Sequence, residues 1–127
     1  MQIHISSNDG VPIYLQIVNQ IKYLIAAERL AVGEEIPPIR VLAEQLVINP
    51  NTVARAYLEL ERAGLVAKRQ GAGTYVAGGS VLPRREKVKV LVRRLDLLLA
   101  EAAHLDIPLE EVIELLRERH VAMHSPK

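Results

Sequence analysis

Cysteine, phenylalanine and tryptophan are absent from the chain. The first absence removes disulfide scaffolds, thiolate metal centres and cysteine nucleophiles together, and it suits a reducing compartment. The other two leave four tyrosines as the only large aromatic side chains, so the core must be aliphatic. No apolar run approaches the roughly 20 residues that a membrane helix needs. The opening Met1-Gln2-Ile3-His4-Ile5-Ser6 lacks the basic and apolar segments of a signal peptide. A cytoplasmic protein with no membrane partner is therefore expected. Net charge is also scarce, at +1, whereas nucleic-acid binders usually carry a basic excess. Its distribution is uneven: Arg84, Arg85, Lys87, Lys89, Arg93 and Arg94 crowd one stretch, and Asp96, Glu101, Asp106, Glu110, Glu111, Glu114 and Glu118 dominate the next. A small total can thus hide a local basic patch. No nucleophile with a base beside it, phosphate-loop motif or convincing metal-ligand set is found, which argues against an enzyme, a cofactor or a metal site.

What remains is an ordinary folded composition. Half of the 127 residues are apolar and 24% are charged, enough for one domain with a small appendage. Met1 to Val11 reads as a short strand or arm ending in a turn at Asn8-Asp9-Gly10. From Pro12 onward, Ile13, Ile17, Gln20, Ile21, Leu24 and Ile25 recur at helical spacing, which predicts a helix to about Leu30 that Gly33 stops. Pro37-Pro38 opens a short second helix, Ile39 to Leu46, with Leu42, Ala43 and Leu46 inward. Asn49 suits the cap of a third helix, Pro50 its first position and Gly64 its left-handed end. The runs Leu65 to Arg69 and Thr74 to Ala77 flank Gln70-Gly71-Ala72-Gly73 and predict a β-hairpin.

Helix, short helix, turn, helix, hairpin is the order of a winged helix-turn-helix. Gly78-Gly79-Ser80 and Pro83 then form a linker. Beyond it, Val88, Leu91, Val92, Leu95, Leu98, Leu99 and Ala102 trace one helical face, and a last helix from Pro108 to about His120 carries Leu109, Val112, Ile113 and Leu116. Two helices cannot bury both stripes alone, so Val88, Leu91, Val92, Leu95, Leu98, Leu99, Leu109, Val112, Ile113 and Leu116 form the predicted dimerisation face. The predicted fold is mainly α with a small β-hairpin. A winged helix-turn-helix domain occupies 1–78, and a linker with a two-helix dimerisation and effector region occupies 79–127.

Four blocks carry a family resemblance. Gly33-Glu34-Glu35-Ile36-Pro37-Pro38-Ile39-Arg40-Val41-Leu42-Ala43, Asn49-Pro50-Asn51-Thr52-Val53-Ala54-Arg55-Ala56-Tyr57, Gly64-Leu65 and Gly71-Ala72-Gly73-Thr74-Tyr75-Val76 stand in order. At this spacing the chain resembles the GntR family of bacterial regulators, and its short tail and Asn-Pro-Asn-Thr-Val block resemble the YtrA-type subfamily. The resemblance implies a DNA-binding transcriptional regulator, with double-stranded DNA as a partner and a small helical dimerisation unit. The pattern departs at two places: Pro38 stands where the family usually has Ser or Thr, and Val47 where it favours Gly. A β-branched residue resists positive φ, so the turn at Val47 is either not left-handed or strained by about 1 to 2 kcal/mol.

The residues themselves fit that chemistry. The amino end of a helix in the major groove offers free N–H groups and short polar side chains to phosphates and base edges. Asn51, Thr52 and Arg55 occupy that end. Asn can bond an adenine edge, and Arg55 either a guanine or a phosphate. Asn49 joins the candidate set, although capping is its first role. Arg40 stands where the resemblance implies a phosphate-binding arginine. Lys68, Arg69 and Gln70 lead into Gly71 and Gly73, where the resemblance implies minor-groove contact; alternatively, Lys68 and Arg69 only keep a hairpin edge soluble. Tyr57 is expected to pack against a neighbouring helix, with a phosphate contact as the other option.

In the tail, too few residues follow the linker to enclose a drug-sized pocket in one subunit, so an unknown effector would sit at the subunit interface. His120 and His124, and likewise Glu101 and His104, are helix-spaced, and ordinary solvated residues explain them better than a metal does. The expected function is a homodimeric repressor on a palindromic operator. The resemblance adds a transporter operon as its target. The competing reading is a winged-helix adaptor that contacts protein.

Overall fold

The computed structural model describes residues 1–7, 10–77 and 83–124. The expected turn at Asn8-Asp9 and the Gly78-Gly79-Ser80 linker lie outside them. The chain divides into two compact units, Met1–Val90 and Leu91–Lys127, so the division falls inside a helix, α4 (Arg84–His104).

In the first unit, helix α1 (Ile13–Ala26) is opened by Pro12, whose carbonyl accepts from the N–H groups of Leu15 and Gln16 at 3.0 and 3.1 Å. Its buried face is Gln16, Ile17, Val18, Ile21 and Ile25; of the predicted stripe, Ile17, Ile21 and Ile25 are buried, whereas Gln20 and Leu24 are half-buried and Ile13 is exposed. The helix ends four residues before the expected Leu30, because Glu28 turns left-handed at φ 58° and Arg29 N–H bonds back to Leu24 O at 2.8 Å. Leu30 is then free to drop into the core. Helix α2 (Ile39–Leu46) follows Pro38, which supplies no side-chain cap. Helix α3 (Pro50–Arg62) starts at Asn49 and buries Val53, Ala56, Tyr57 and Leu60, packing on both α1 and α2.

The hairpin is real but incomplete as a description. Strands β2 (Val66–Arg69) and β3 (Gly73–Val76) pair antiparallel, and a third strand, β1 (Glu35–Ile36), pairs with β3 to give the order β1-β3-β2. Glu35 faces Tyr75 and Ile36 faces Thr74. Mutual bonds of 2.9 Å, from Gly33 N–H to Val76 O and from Val76 N–H to Glu34 O, extend the pairing. Ile36 is fully buried, so the short strand anchors the wing to the helical core.

An extended arm completes this unit. Ile3 is buried and Ile5 packs against the core, while the backbone of the alternate residues is held by two side-chain amides of α1. Gln20 accepts from His4 N–H at 2.9 Å and donates to His4 O at 2.6 Å. Gln16 does the same for Ser6 at 2.8 and 2.7 Å and also donates to Val11 O at 2.9 Å. Each amide satisfies the arm as a neighbouring strand would.

In the second unit, Leu91–His104 of α4 is followed by α5 (Leu109–His124). Asp106, at φ 58°, closes α4, with Ile107 N–H on Ala102 O at 2.8 Å. Ala102 and Val112 are buried within the unit. Leu91, Val92, Leu95, Leu98, Leu99, Leu109 and Leu116 remain exposed in the single chain, as does Val88 nearer the start of α4, and Ile113 is half-buried.

Candidate nucleic-acid interface

The third helix sorts its side chains by angle. Val53, Ala56, Tyr57 and Leu60 face the core, so at 100° per residue Asn51, Arg55, Leu58 and Arg62 fall on the opposite face, and all four are exposed. Thr52 lies to the flank and is half-buried. Asn49 Oδ1 accepts from Asn51 N–H at 2.8 Å, the capping role expected of it. Its amide nitrogen remains available at the helix tip. Arg40, at the start of α2, is exposed and borders the same concavity as Asn49, a space of about 530 Å³. Arg40 and Asn49 thus share one concavity, and Asn51 and Arg55 stand on the outward face of the helix that Asn49 caps.

Two tyrosines support this surface. Tyr57 is buried and its hydroxyl donates to Pro37 O at 2.6 Å, which satisfies it inside the fold and leaves the phosphate option without a donor. Burial raises its pKa above the ordinary value. Tyr14, which sequence reasoning passed over, lies with its ring 3.8 Å from the Arg55 guanidinium carbon. The stacking holds a long cation against α1 at the edge of the outward face. Only a fold-level neighbour signals this pair, because the two residues sit on different helices.

Val47 resolves the question posed by the family's missing glycine. It adopts φ 56° and ψ 52°, the left-handed and strained alternative.

In the wing, Gln70 and Gly71 are exposed at the tip. Lys68 Nζ lies 3.9 Å from Glu61 Oε2, and the Arg69 guanidinium lies 4.4 Å from the Tyr75 ring centre. Both cations are exposed and reachable by solvent despite these partners. Tyr75 in turn donates its hydroxyl to Ala72 O, tying the hairpin tip to its stem. Gly73 is favoured by its backbone: its φ of 97° strains any residue with a side chain, whereas an added Cβ would meet only the movable carboxylate end of exposed Glu35, at 2.7 Å.

The tail offers less. A groove of about 210 Å³ between α4 and α5, floored by Leu98, Ala102, Leu105, Ile107 and Val112, is smaller than pockets that hold drug-sized ligands. The His120 and His124 rings lie 4.3 Å apart, but His124 Nδ1 is 2.8 Å from His120 O and so engages the backbone. Among the described residues, no group of three or more metal-ligating side chains assembles, and no helix is long and apolar enough to cross a membrane.

Comparison with known proteins follows this geometry. Residues 13–76 match the family model described as bacterial regulatory proteins, gntR family. The chain is 34% identical over 117 residues to the HTH-type transcriptional repressor YtrA of Bacillus subtilis, covering 91% of this chain and 90% of that protein. A solved structure of YtrA from Sulfolobus acidocaldarius, a GntR-family transcription factor, superposes with a TM-score of 0.59 at 33% identity, covering 73% of this chain and 95% of that one. The structure of AraR(DBD) in complex with operator ORE1 superposes with a TM-score of 0.51 at 28% identity, covering 61% of this chain and 94% of that one.

Proposed function

Because the chain belongs to the GntR family of bacterial regulatory proteins and is YtrA-like within it, we propose that it is a homodimeric transcriptional repressor of a palindromic operator. Regulators of this type bind DNA and are not enzymes. The observation that carries the reading is the outward face of α3, where Asn51 and Arg55 are exposed while the opposite face holds the helix in the core, with Asn49 at its cap sharing a concavity with Arg40. Asn51 and Arg55 read base edges in the major groove, with Asn49 and Thr52 at its margin. Arg40 clamps a phosphate and fixes register. The wing, through Lys68, Arg69, Gln70 and Gly71, lies along the neighbouring minor groove, with Gly73 shaping its stem.

The exposed stripe Val88, Leu91, Val92, Leu95, Leu98 and Leu99 on α4, with Leu109, Ile113 and Leu116 on α5, is the face covered by a second copy. Buried Val112 backs it from within the unit. Two readers related by a two-fold axis require half-sites one or two helical turns apart. Repression follows the Bacillus subtilis relative, and a transporter operon is the target that the subfamily resemblance implies. An effector, if the repressor has one, binds at the subunit interface, where the small α4–α5 groove would be enlarged by the partner.

Titration of a labelled duplex from the gene's own upstream region against a scrambled duplex tests the DNA reading. Preference for the upstream duplex by a factor of roughly 10³ or more is expected. Equal binding would favour the protein adaptor. Sedimentation at micromolar concentration should show a dimer, and a stable monomer would remove the second copy.

A further inference from the structure

The left-handed turn at Val47 is closed by Ile48 N–H on Ala43 O at 3.0 Å, a bond that glycine would keep, so the valine side chain itself recovers none of its strain inside the molecule. The left-handed backbone is unfavourable for a β-branched side chain, and such strain is ordinarily compensated by packing. Here 89% of the residue is exposed, the highest value among the large apolar residues described. Glycine would relieve the backbone and forfeit no buried contact. The use of the side chain therefore lies outside the folded chain.

The surroundings identify that use. Ala43, Val47, Ile48 and Pro50 pave the concavity that Arg40, Glu44 and Asn49 border. An apolar floor between a phosphate-type cation and a base-reading amide matches one group in duplex DNA. The C5-methyl of thymine is the apolar group presented on the major-groove base edges. We propose that Val47, backed by Ala43, Ile48 and Pro50, is a specificity-determining residue that receives a thymine methyl group of the operator. The inference rests on the DNA reading above and adds a base preference to it.

The test uses the full chain and the site it selects from a random duplex pool. Each thymine of that site is replaced singly by uracil, which deletes only the methyl group, and the wild type is compared with Val47→Gly. One thymine per half-site should be found whose replacement weakens wild-type binding about fourfold, the effect of one buried methyl. Val47→Gly should bind the parent site about fourfold more weakly and be indifferent to that replacement, the non-additivity that marks a direct pair. Its thermal midpoint should rise by about 4 °C, so the lost affinity would not reflect a damaged fold. Equal uracil sensitivity in both proteins, or a selected site without thymine, would overturn the contact while leaving DNA binding intact. Failure of the wild type to select any site would overturn the DNA reading and this inference with it.

Discussion

Tyr57 on the inner face of α3 and Tyr14 on α1, against Arg55, have different duties. Tyr57 closes the interior through its bond to Pro37 O. Replacing it with phenylalanine strands that carbonyl and should lower stability by about 1 to 2 kcal/mol in denaturant melts at neutral pH. Because burial raises its pKa above 10.0, the protonated hydroxyl is favoured in the folded state. Its contribution is full below pH 10 and declines as pH rises from there toward the folded value, since the unfolded chain ionises first. Tyr57→Phe should lack that part of the alkaline loss, and an identical alkaline decline in both proteins would contradict the assignment. Tyr14, by contrast, acts through Arg55. Tyr14→Leu keeps bulk but loses the ring face and should weaken operator binding about two- to fivefold, while Tyr14→Phe should restore it. The Asn49 cap and Pro50 start were legible because they are local rules. The Tyr14–Arg55 pair was not, because it depends on how two helices cross.

At the scale of elements, the helix ends explain most of the differences between reading and structure. Four helices close in the same way, with a left-handed residue followed by an N–H that reaches back five positions: Arg29 to Leu24, Ile48 to Ala43, Leu65 to Leu60 and Ile107 to Ala102. The left-handed residues are Glu28, Val47, Gly64 and Asp106. Only Gly64 announces itself, since glycine alone adopts that conformation without penalty, and this is why α1 was read too long. Strand β1 was hidden for another reason: two residues between Gly33 and Pro37 show no alternation, and the strand exists because β3 offers an edge to it. The arm is the third case. The helical period marked Gln20 as part of the inward stripe and ignored Gln16, yet Gln16 is the buried polar residue and both are there to bind backbone. Gln16→Ala should cost about 1 to 3 kcal/mol and speed hydrogen exchange at Ser6 well before the core amides of α1 and α3. Unchanged exchange at Ser6 would mean that the arm is held by Ile3 and Ile5 alone.

The whole molecule carries its charge unevenly: the basic run from Arg84 to Arg94 precedes the acidic run from Asp96 to Glu118. Glu86 already draws on part of the basic run, with Lys89 at 3.4 Å and Arg85 at 4.0 Å, and exposed pairs of this kind are weak enough to exchange for phosphates. Neutralising Arg84 and Arg85 to glutamine should reduce the slope of log affinity against log salt by about one to two while leaving the preferred sequence unchanged. An unchanged slope would assign the two arginines to the partner subunit. The winged helix-turn-helix order was readable because its helices, caps and hairpin tip each obey a short-range rule. The fate of the exposed leucines was readable only as a need for cover, since one chain contains no second copy to pack against. Everything at this scale turns on whether the α3 tip reads bases. The most direct measurement is the ratio of affinities for the operator and a scrambled duplex, taken for the wild type and for Asn51→Ala at one salt concentration. The variant should lose about 1 to 3 kcal/mol of discrimination per half-site with its scrambled-duplex affinity preserved; an undiminished ratio in Asn51→Ala would place sequence reading elsewhere on the molecule.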